Sequence, residues 1–438
     1  MIGIQDHNMQ TAGNAAPTRR QLLRSAALTL SASSYRALAG ASPNDRANVG
    51  FIGLGSQGAG RLQAFMKHPD VNVAGLCDVD QSHLDRAVES VRRQRGTAPP
   101  AVKDFRRLLE SKDVDAVMIA TPDHWHAIPA VQACRAGKDV FVEKPLSRTI
   151  PEGRAILLAA RQHDRITQLG NHIHNDLPNF RRVVEVVKSG MLGDIRRVYC
   201  WIRSTDKGLG RPPDGSPPKD LDYDFWLGPA PRHPYNVNRC HRTFRSFWDY
   251  SGGVFIDFWC HITDVAYWAL DLTAPKSVAA TGGRFLEDDN GETPNVMEAV
   301  LEYPGLVLSW NVHPKGMPGF EAHHIGCIFQ GSKATLVTWY EGHELYVDGK
   351  RVPDFQRPER SIPDSPGHIR EFLDSVKSRR RTTCDVEYAY RLTKGGLLAN
   401  LALRTGRRIY WDDRREAILG DRAAQQLMQP RYRKPWRL

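Results

Sequence analysis

Three groups of residues in this chain have the types and spacing to do chemistry. The first is Gly53-x-Gly55-x-x-Gly58, with Asp78 standing 20 residues beyond the last glycine. The first glycine permits a tight turn, the second lets backbone approach a pyrophosphate, and the third lets a helix pack on a strand. Phosphate would then rest on the free N–H groups of Ser56 and Gln57 at a helix N-terminus. A carboxylate at Asp78 can accept hydrogen bonds from the adenosine ribose hydroxyls. It would repel a 2′-phosphate, so NAD is expected over NADP, although Arg86 nearby argues the other way. The second group is Thr121-Pro122-x-x-x-His126 and Glu143-Lys144-Pro145, each following a short apolar run. A lysine there can polarise or deprotonate a substrate hydroxyl. The third is Gly252-Gly253 followed by Asp257, His261 and Asp264, at i, i+4 and i+7 on one helix face. A histidine between carboxylates can be a general acid or base with its orienting partner.

Histidine pairs also occur at His124-x-His126, His172-x-His174 and His323-His324. They allow a zinc site in principle. The chain lacks Cys-x-x-Cys and a His-Glu-x-x-His helix, so no metal is expected.

The elements needed to position these groups are legible. Residues 47–54 read as a buried parallel strand, 57–67 as a helix, 71–76 as a second strand and 81–94 as a helix. Strands at 116–120 and 139–142 alternate with helices at 128–136 and 151–163. This alternation predicts a doubly wound α/β sheet, with Thr121 and Glu143 at carboxyl ends of strands where such sheets bind ligands. After about residue 190 the pattern changes. Residues 195–203, 278–285, 296–303, 307–312, 324–330 and 334–339 read as neighbouring antiparallel strands with one face covered. The expected organisation is a leader over 1–41, a Rossmann domain over 46–168, an α+β domain with a large, mostly antiparallel open sheet over 169–415, and a tail over 416–438. A Pro/Gly-rich insertion at 206–250 carries Trp226, Tyr235, Arg239, His241, Arg245, Trp248 and Tyr250. Such content suits a loop that covers substrate.

The chain has 438 residues, 41% hydrophobic and 25% charged, with formal net charge +11. These values are ordinary for a globular protein of two or three domains. No nucleic-acid motif accompanies the basic charge, and nucleic acid is not an expected partner. No apolar run reaches the roughly 20 residues of a membrane-spanning helix. Seven scattered cysteines fit neither a disulfide framework nor a zinc ribbon. Thr18-Arg19-Arg20-Gln21-Leu22-Leu23-Arg24, an apolar run to Leu30 and small residues at Ala37-Leu38-Ala39 read as a twin-arginine leader. That leader predicts a partner in the twin-arginine export machinery and a periplasmic or otherwise exported protein. Outside the cytoplasm a nicotinamide enzyme must keep its cofactor and regenerate it in place.

Together these motifs resemble the Gfo/Idh/MocA family, named for glucose–fructose oxidoreductase, inositol dehydrogenase and a rhizopine catabolism protein. The resemblance spans about residues 47–415 and rests on the glycine fingerprint, Cys77-Asp78-Val79-Asp80, Thr121-Pro122-x-x-x-His126, Glu143-Lys144-Pro145 and Gly252-Gly253-x3-Asp257-x3-His261-x2-Asp264. Trp125, Gly170-Asn171-x-x-His174 and Tyr432-Arg433-x-Pro435-Trp436 look like a bacterial subgroup rich in exported members. The resemblance implies NAD, a carbohydrate substrate and a homo-oligomer, dimer or tetramer. It implies that Lys144 contacts cofactor and substrate, that His261 aided by Asp257 moves the proton, and that His126 lines the nicotinamide pocket. Asn171, His174, Arg239 and Asp264 are the candidates for substrate contact. His172 stands where the subgroup pattern has Gln.

The expected activity is NAD-dependent oxidation of a secondary hydroxyl of a sugar, cyclitol or glycoside. The alternatives are a redox-neutral glycosidase, which oxidises, eliminates, adds water and reduces, and a two-substrate sugar oxidoreductase. A binding protein with a decayed site is the reading from another class, and the intact Lys144, Asp257 and His261 weigh against it.

Overall fold

Short runs of apolar residues, uninterrupted by polar ones, make strands that can be buried on both faces, and the first half of the chain is built on them. The computed structural model describes residues 46–203, 208–314 and 323–438. The expected leader lies outside the described residues. Strands β1 (Ala47–Ile52), β2 (Val71–Cys77), β3 (Ala101–Val102), β4 (Ala116–Ile119), β5 (Asp139–Val142) and β6 (Thr167–Leu169) form a parallel sheet in the order β3-β2-β1-β4-β5-β6. Helices cross between them, and most begin with a side-chain cap: Asp80, Asp104 and Thr149 each accept first-turn N–H groups. The helix Ser56–Met66 has no such cap and no acidic residue in its first turn. Its N-terminus opens at the carboxyl edge of the sheet.

The second half holds β7 (Ile195–Arg203), β8 (Ser277–Gly283), β9 (Val296–Tyr303), β10 (Leu306–His313), β11 (Ile325–Gly331), β12 (Thr335–Thr338), β13 (His343–Val347), β14 (Lys350–Val352), β15 (Ile409–Asp412) and β16 (Ala417–Leu419). They form one sheet in the order β14-β13-β12-β11-β7-β10-β9-β8-β15-β16. Residues along β9 alternate between buried and outward-facing, as a sheet covered on one face requires. Helices Pro178–Lys188, Gly253–Leu270 and Val386–Thr405 pack against one another beside it.

The sheet is mostly antiparallel, as expected, but not wholly so, because β7 and β10 run parallel. The long excursion after β7, through the insertion and the Gly253–Leu270 helix, lets the chain re-enter in the same direction. The two halves are also not contiguous segments. The helix His368–Ser378 returns to the first domain, where Phe372 meets Phe141 edge-on at 5.6 Å and Phe65 at 6.3 Å. Ile369, Phe372 and Leu373 thereby complete the core under β1 and β2. At the other end, β16 pairs with β15, so the sheet runs into the segment expected to be tail.

The insertion before the Gly253–Leu270 helix has a small core of its own, made of Leu221, Trp226, Leu227, Ala230, Cys240, Phe244, Phe247 and Tyr250. All seven cysteines are buried free thiols. Among the described residues no helix is long and apolar enough to cross a membrane.

Because Phe372 lies in the core of the first domain, Phe372→Ala should cost about 3–5 kcal/mol, the usual range for a buried phenylalanine. Denaturant unfolding should show one transition shifted for the whole chain. A loss confined to the second half would contradict this shared core.

Candidate active site

The glycine turn after β1 is built as its spacing demands. Gly53 has φ +85°, and a Cβ there would press on the Ala120 carbonyl at 2.7 Å. A Cβ on Gly58 would collide with the Gly53 carbonyl oxygen, so only glycine lets this helix sit against the strand. Gly55 has open space before it, with His83 Cε1 at 3.7 Å as the nearest atom to an added Cβ. These residues form one end of a cavity of about 560 Å³. Gly53, Gly55, Ser56, Gln57, Asp78, Thr121, Pro122, His126, Glu143, Lys144 and His261 all line it. Gly58 stands behind it as a packing residue.

The cavity fits NAD. The uncapped Ser56–Met66 helix presents unpaired N–H groups where a pyrophosphate would lie. Asp78 accepts from Leu54 N at 2.6 Å and Asp80 N at 2.9 Å, which fixes its carboxylate in place. A carboxylate has about four acceptor positions, so capacity remains for ribose hydroxyls. Thr121 Oγ1 and Glu143 Oε2 are buried in the wall without a partner, which leaves polar atoms for a bound molecule to satisfy. Glu143 Oε1 takes Arg61 Nε at 2.5 Å and Gln57 Nε2 at 3.2 Å, and Arg61 also donates to the Gly170 carbonyl at 3.0 Å. His126 ties two loops together, with Nδ1 2.7 Å from the Pro145 carbonyl and Nε2 3.0 Å from that of Thr121.

At the other end of the cavity Lys144 and His261 come together. The Gly253–Leu270 helix starts at Gly253, with φ +83°, where an added Cβ would meet the Thr293 side chain at 2.8 Å. This start places Asp257 beside the loop after β5. The Lys144 ammonium bonds the Asp257 carboxylate directly and the Asp257 carbonyl at 3.2 Å. Arg245 Nε reaches the same carboxylate oxygen at 3.0 Å. Burial opposes ionisation of Asp257, but the two cations outweigh it and hold its carboxyl well below the usual range. His261 is driven the other way. Burial first, then the Lys144 charge, pushes its imidazole well below the ordinary value, with Asp257 opposing and His172 and Arg61 adding. His261 is therefore a neutral imidazole, able to accept a proton.

Among the described residues Asp257 acts on His261 through its charge, without a hydrogen bond to the ring. His261 Nδ1 instead lies 2.9 Å from the Tyr340 hydroxyl, on the turn between β12 and β13. The four residues expected to touch substrate also fall elsewhere, outside the cavity wall. Asp264 shares a helix face with Asp257 but sits two turns on, roughly 10 Å along the axis. There it is fully buried and bonds His174 Nδ1 at 3.0 Å and the Tyr388 hydroxyl at 2.5 Å. Asn171 is buried and donates to the Cys260 carbonyl at 2.7 Å, anchoring the helix from below. Arg239 lies over the Phe247 ring at 4.4 Å and braces the insertion. The histidine pairs do not converge: His124 faces the Trp226 carbonyl, His174 stacks on Trp268, and His323 stacks on Trp339.

The insertion roofs the cavity with Phe225, Trp226, His241, Arg242, Phe244 and Arg245. It is fastened to the first domain. Gln81 N donates to Asp220 O at 2.9 Å, Asp222 N to Val79 O at 3.0 Å, and His241 Nε2 lies 2.9 Å from Asp80 Oδ2. The C-terminal segment supports it from outside. Trp436 stacks on Phe225 at 5.3 Å and meets Trp125 at 4.7 Å, while Arg433 Nε donates to the Gly228 carbonyl at 3.0 Å. Arg245 and His172, noted in the insertion and at the subgroup's Gln position, line the cavity, while Arg61 in its wall and Tyr340 behind His261 were not singled out. The aromatic and basic content of the insertion was the signal for Arg245, and nothing marked Tyr340.

A dinucleotide cradle opening onto a lysine, a shared carboxylate and a neutral histidine defines an NAD-dependent oxidoreductase. Residues 47–171 match the oxidoreductase family's NAD-binding Rossmann fold, and residues 180–304 with 324–438 match its C-terminal alpha/beta domain. The chain belongs to the Gfo/Idh/MocA oxidoreductase family. It is 31% identical over 151 residues to the alpha-N-acetylgalactosaminidase of Shewanella oneidensis strain MR-1, covering 34% of this chain and 33% of that enzyme. The match thus spans about a third of that relative's length. The WlbA dehydrogenase of Bordetella pertussis, solved with NADH and UDP-GlcNAcA, shares the fold with TM-score 0.60 and 18% identity, over 84% of this chain and 99% of that one. Levoglucosan dehydrogenase, solved with NADH and L-sorbose, does so with TM-score 0.61 and 17% identity, over 84% and 99%.

Asp78→Ala should weaken NAD binding roughly tenfold to a hundredfold, the worth of charge-assisted hydrogen bonds at about 1.5–3 kcal/mol. Isothermal titration of the purified protein measures this directly. The lowered His261 imidazole sets a pH profile as well. The reactive form is the unprotonated one, so kcat/KM should stay level as pH falls through 6.5 and decline only further into acid.

Proposed function

We propose that this protein oxidises a secondary hydroxyl of a sugar, cyclitol or glycoside and keeps its NAD in place between turnovers. The observation that carries this reading is the convergence of Lys144 and His261 on one cavity shared with the glycine turn. Bound NAD supplies the hydride acceptor. His261 takes the hydroxyl proton on the ring nitrogen that Tyr340 leaves free. The Lys144 ammonium stabilises the developing alkoxide, and Asp257 fixes the ammonium where that charge appears. The roof of Phe225, Trp226 and Phe244 keeps water from the reacting carbon. The fastened insertion also favours retention of the nucleotide, which suits a protein exported by the twin-arginine route beyond the cytoplasmic NAD pool.

The second reading is redox-neutral hydrolysis of a glycoside, and the glycosidase among the relatives favours it. Oxidation of one carbinol acidifies the adjacent C–H. Loss of that proton expels the aglycone, water adds to the resulting double bond, and the hydride returns to the carbonyl carbon. Atoms balance as one water consumed per glycosidic bond.

Acid denaturation of the purified protein should release about one nucleotide per chain. Incubation with aryl glycosides without added NAD then separates the readings. Release of aglycone supports hydrolysis, whereas NADH accumulation that needs added NAD supports a dehydrogenase. In either case Lys144→Met should cut turnover by about a hundredfold or more while NAD affinity changes only a few-fold. Near-normal turnover in that variant would sink the assignment.

A further inference from the structure

Among the described residues the Tyr340 hydroxyl is the only hydrogen-bond partner of the His261 ring. It belongs to a turn held with unusual care. Asn179 Nδ2 donates to the Trp339 carbonyl at 2.8 Å, the Gly342 carbonyl at 3.0 Å and Thr338 Oγ1 at 3.2 Å. Its Oδ1 lies 2.7 Å from His343 Nδ1, and Trp339 N closes the turn onto Gly342 O at 3.0 Å. One amide side chain on the Pro178–Lys188 helix thus binds both ends of the four-residue turn that carries Tyr340. Phe180, the next residue on that helix, meets the Tyr340 ring at 6.3 Å.

We propose that Tyr340 is a positioning residue that holds His261 as its Nδ1–H tautomer, so that Nε2 is the atom offered to the substrate carbinol. This rests on the oxidoreductase reading above and adds the residue that sets its proton acceptor. A phenol hydroxyl can donate or accept, and in the proposed tautomer Nδ1–H donates to it, which leaves the Nε2 lone pair free to react. The phenol oxygen accepts from Nδ1–H, and the substrate O–H proton passes to Nε2 as the O–H bond breaks. On the return step the same Nε2–H bond gives the proton back. Nδ1–H stays on the Tyr340 oxygen throughout.

A neutral partner is the right one here. A carboxylate in its place would raise the imidazole and fill it with a proton before substrate arrives. Burial, with Asp257 and Glu341 beside it, pushes the Tyr340 phenol upward, so the hydroxyl remains uncharged over the working range. The charged and titratable groups facing His261 are Lys144 on the loop after β5, Asp257 one turn back on its own helix, His172 on the loop after β6, and Arg61 on the helix after β1. Of these, only Asp257 favours the imidazolium, and it is already committed to Lys144 and Arg245.

The test uses the full chain with bound NAD and the isosteric variant Tyr340→Phe. Nitrogen-15 NMR of the His261 ring, assigned by its absence in His261→Gln, should report the Nδ1–H tautomer in the parent and a mixed or Nε2–H ring in the variant. This readout needs no substrate, so it stands apart from the oxidoreductase reading. With a turned-over substrate, kcat should fall about ten- to a hundredfold. The acid limb of kcat/KM should move to lower pH, because an imidazolium that has lost its acceptor is harder to form. NAD affinity should be unchanged, since Tyr340 does not line the cavity. Asn179→Ala should reproduce the tautomer change in part with Tyr340 still present. A parent-like nitrogen spectrum in Tyr340→Phe overturns the proposal, and so does a loss of turnover with the acid limb unmoved, which would mean a packing role alone.

Discussion

One carboxylate holds the site together. Asp257 sits at the start of a long helix of the second half and bonds a lysine that follows a strand of the first. It also takes the guanidinium of Arg245 from the insertion. Three separate parts of the chain are thereby joined at a single acceptor. Removing one member of such a buried cluster leaves uncompensated charge, at a cost of about 3–5 kcal/mol. The same arrangement explains the electrostatics of the neighbours. Lys144 remains beside the position where an alkoxide would form, and its charge helps keep His261 neutral. An acid partner for His261 would have undone this, and the structure supplies a phenol instead.

The cavity is closed by parts of the chain far apart in sequence. The insertion covers it, backbone hydrogen bonds from Gln81 and Asp222 fasten the insertion at the nucleotide end, and Trp436 presses on it from outside. Tyr432 adds a hydrogen bond to Glu152 at 2.8 Å, tying the last residues to the first domain. Each contact is modest, yet together they act on one small aromatic core. Residues of this insertion line the cavity together with those of the glycine turn.

Much of the fold could be read from pattern, and the reasons are local. A strand–glycine–helix unit with Asp78 at the next strand end has one economical purpose, and the structure builds it at Gly53, Gly55 and Gly58. Strands β1, β2, β4, β5 and β7 to β12 lie within a residue or two of the expected positions, because apolar runs and alternation report burial directly, whereas the short edge strands β3 and β6 carry too few residues to show a pattern. The helices Pro178–Lys188 and Val386–Thr405 were not assigned, although their packing under the second sheet is now evident. Helical spacing placed Asp264 on the same face as His261 but said nothing about where the cavity ended. His174 and Asn171 looked reactive by type, yet both proved to be buried supports beneath the helix.

The sequence by itself determined the class of chemistry, because glycine turns, a strand-end lysine and a helical Asp–His pair act through short-range geometry that spacing encodes. It also determined the alternation that makes the first sheet. Only the tertiary structure decided what each reactive group pairs with. His261 meets Tyr340 across 79 residues, Lys144 meets Asp257 across 113, and Phe372 enters a core begun more than 300 residues earlier at Phe65. Such pairings depend on how two sheets and an insertion close on each other. No periodicity within a single segment carries that information.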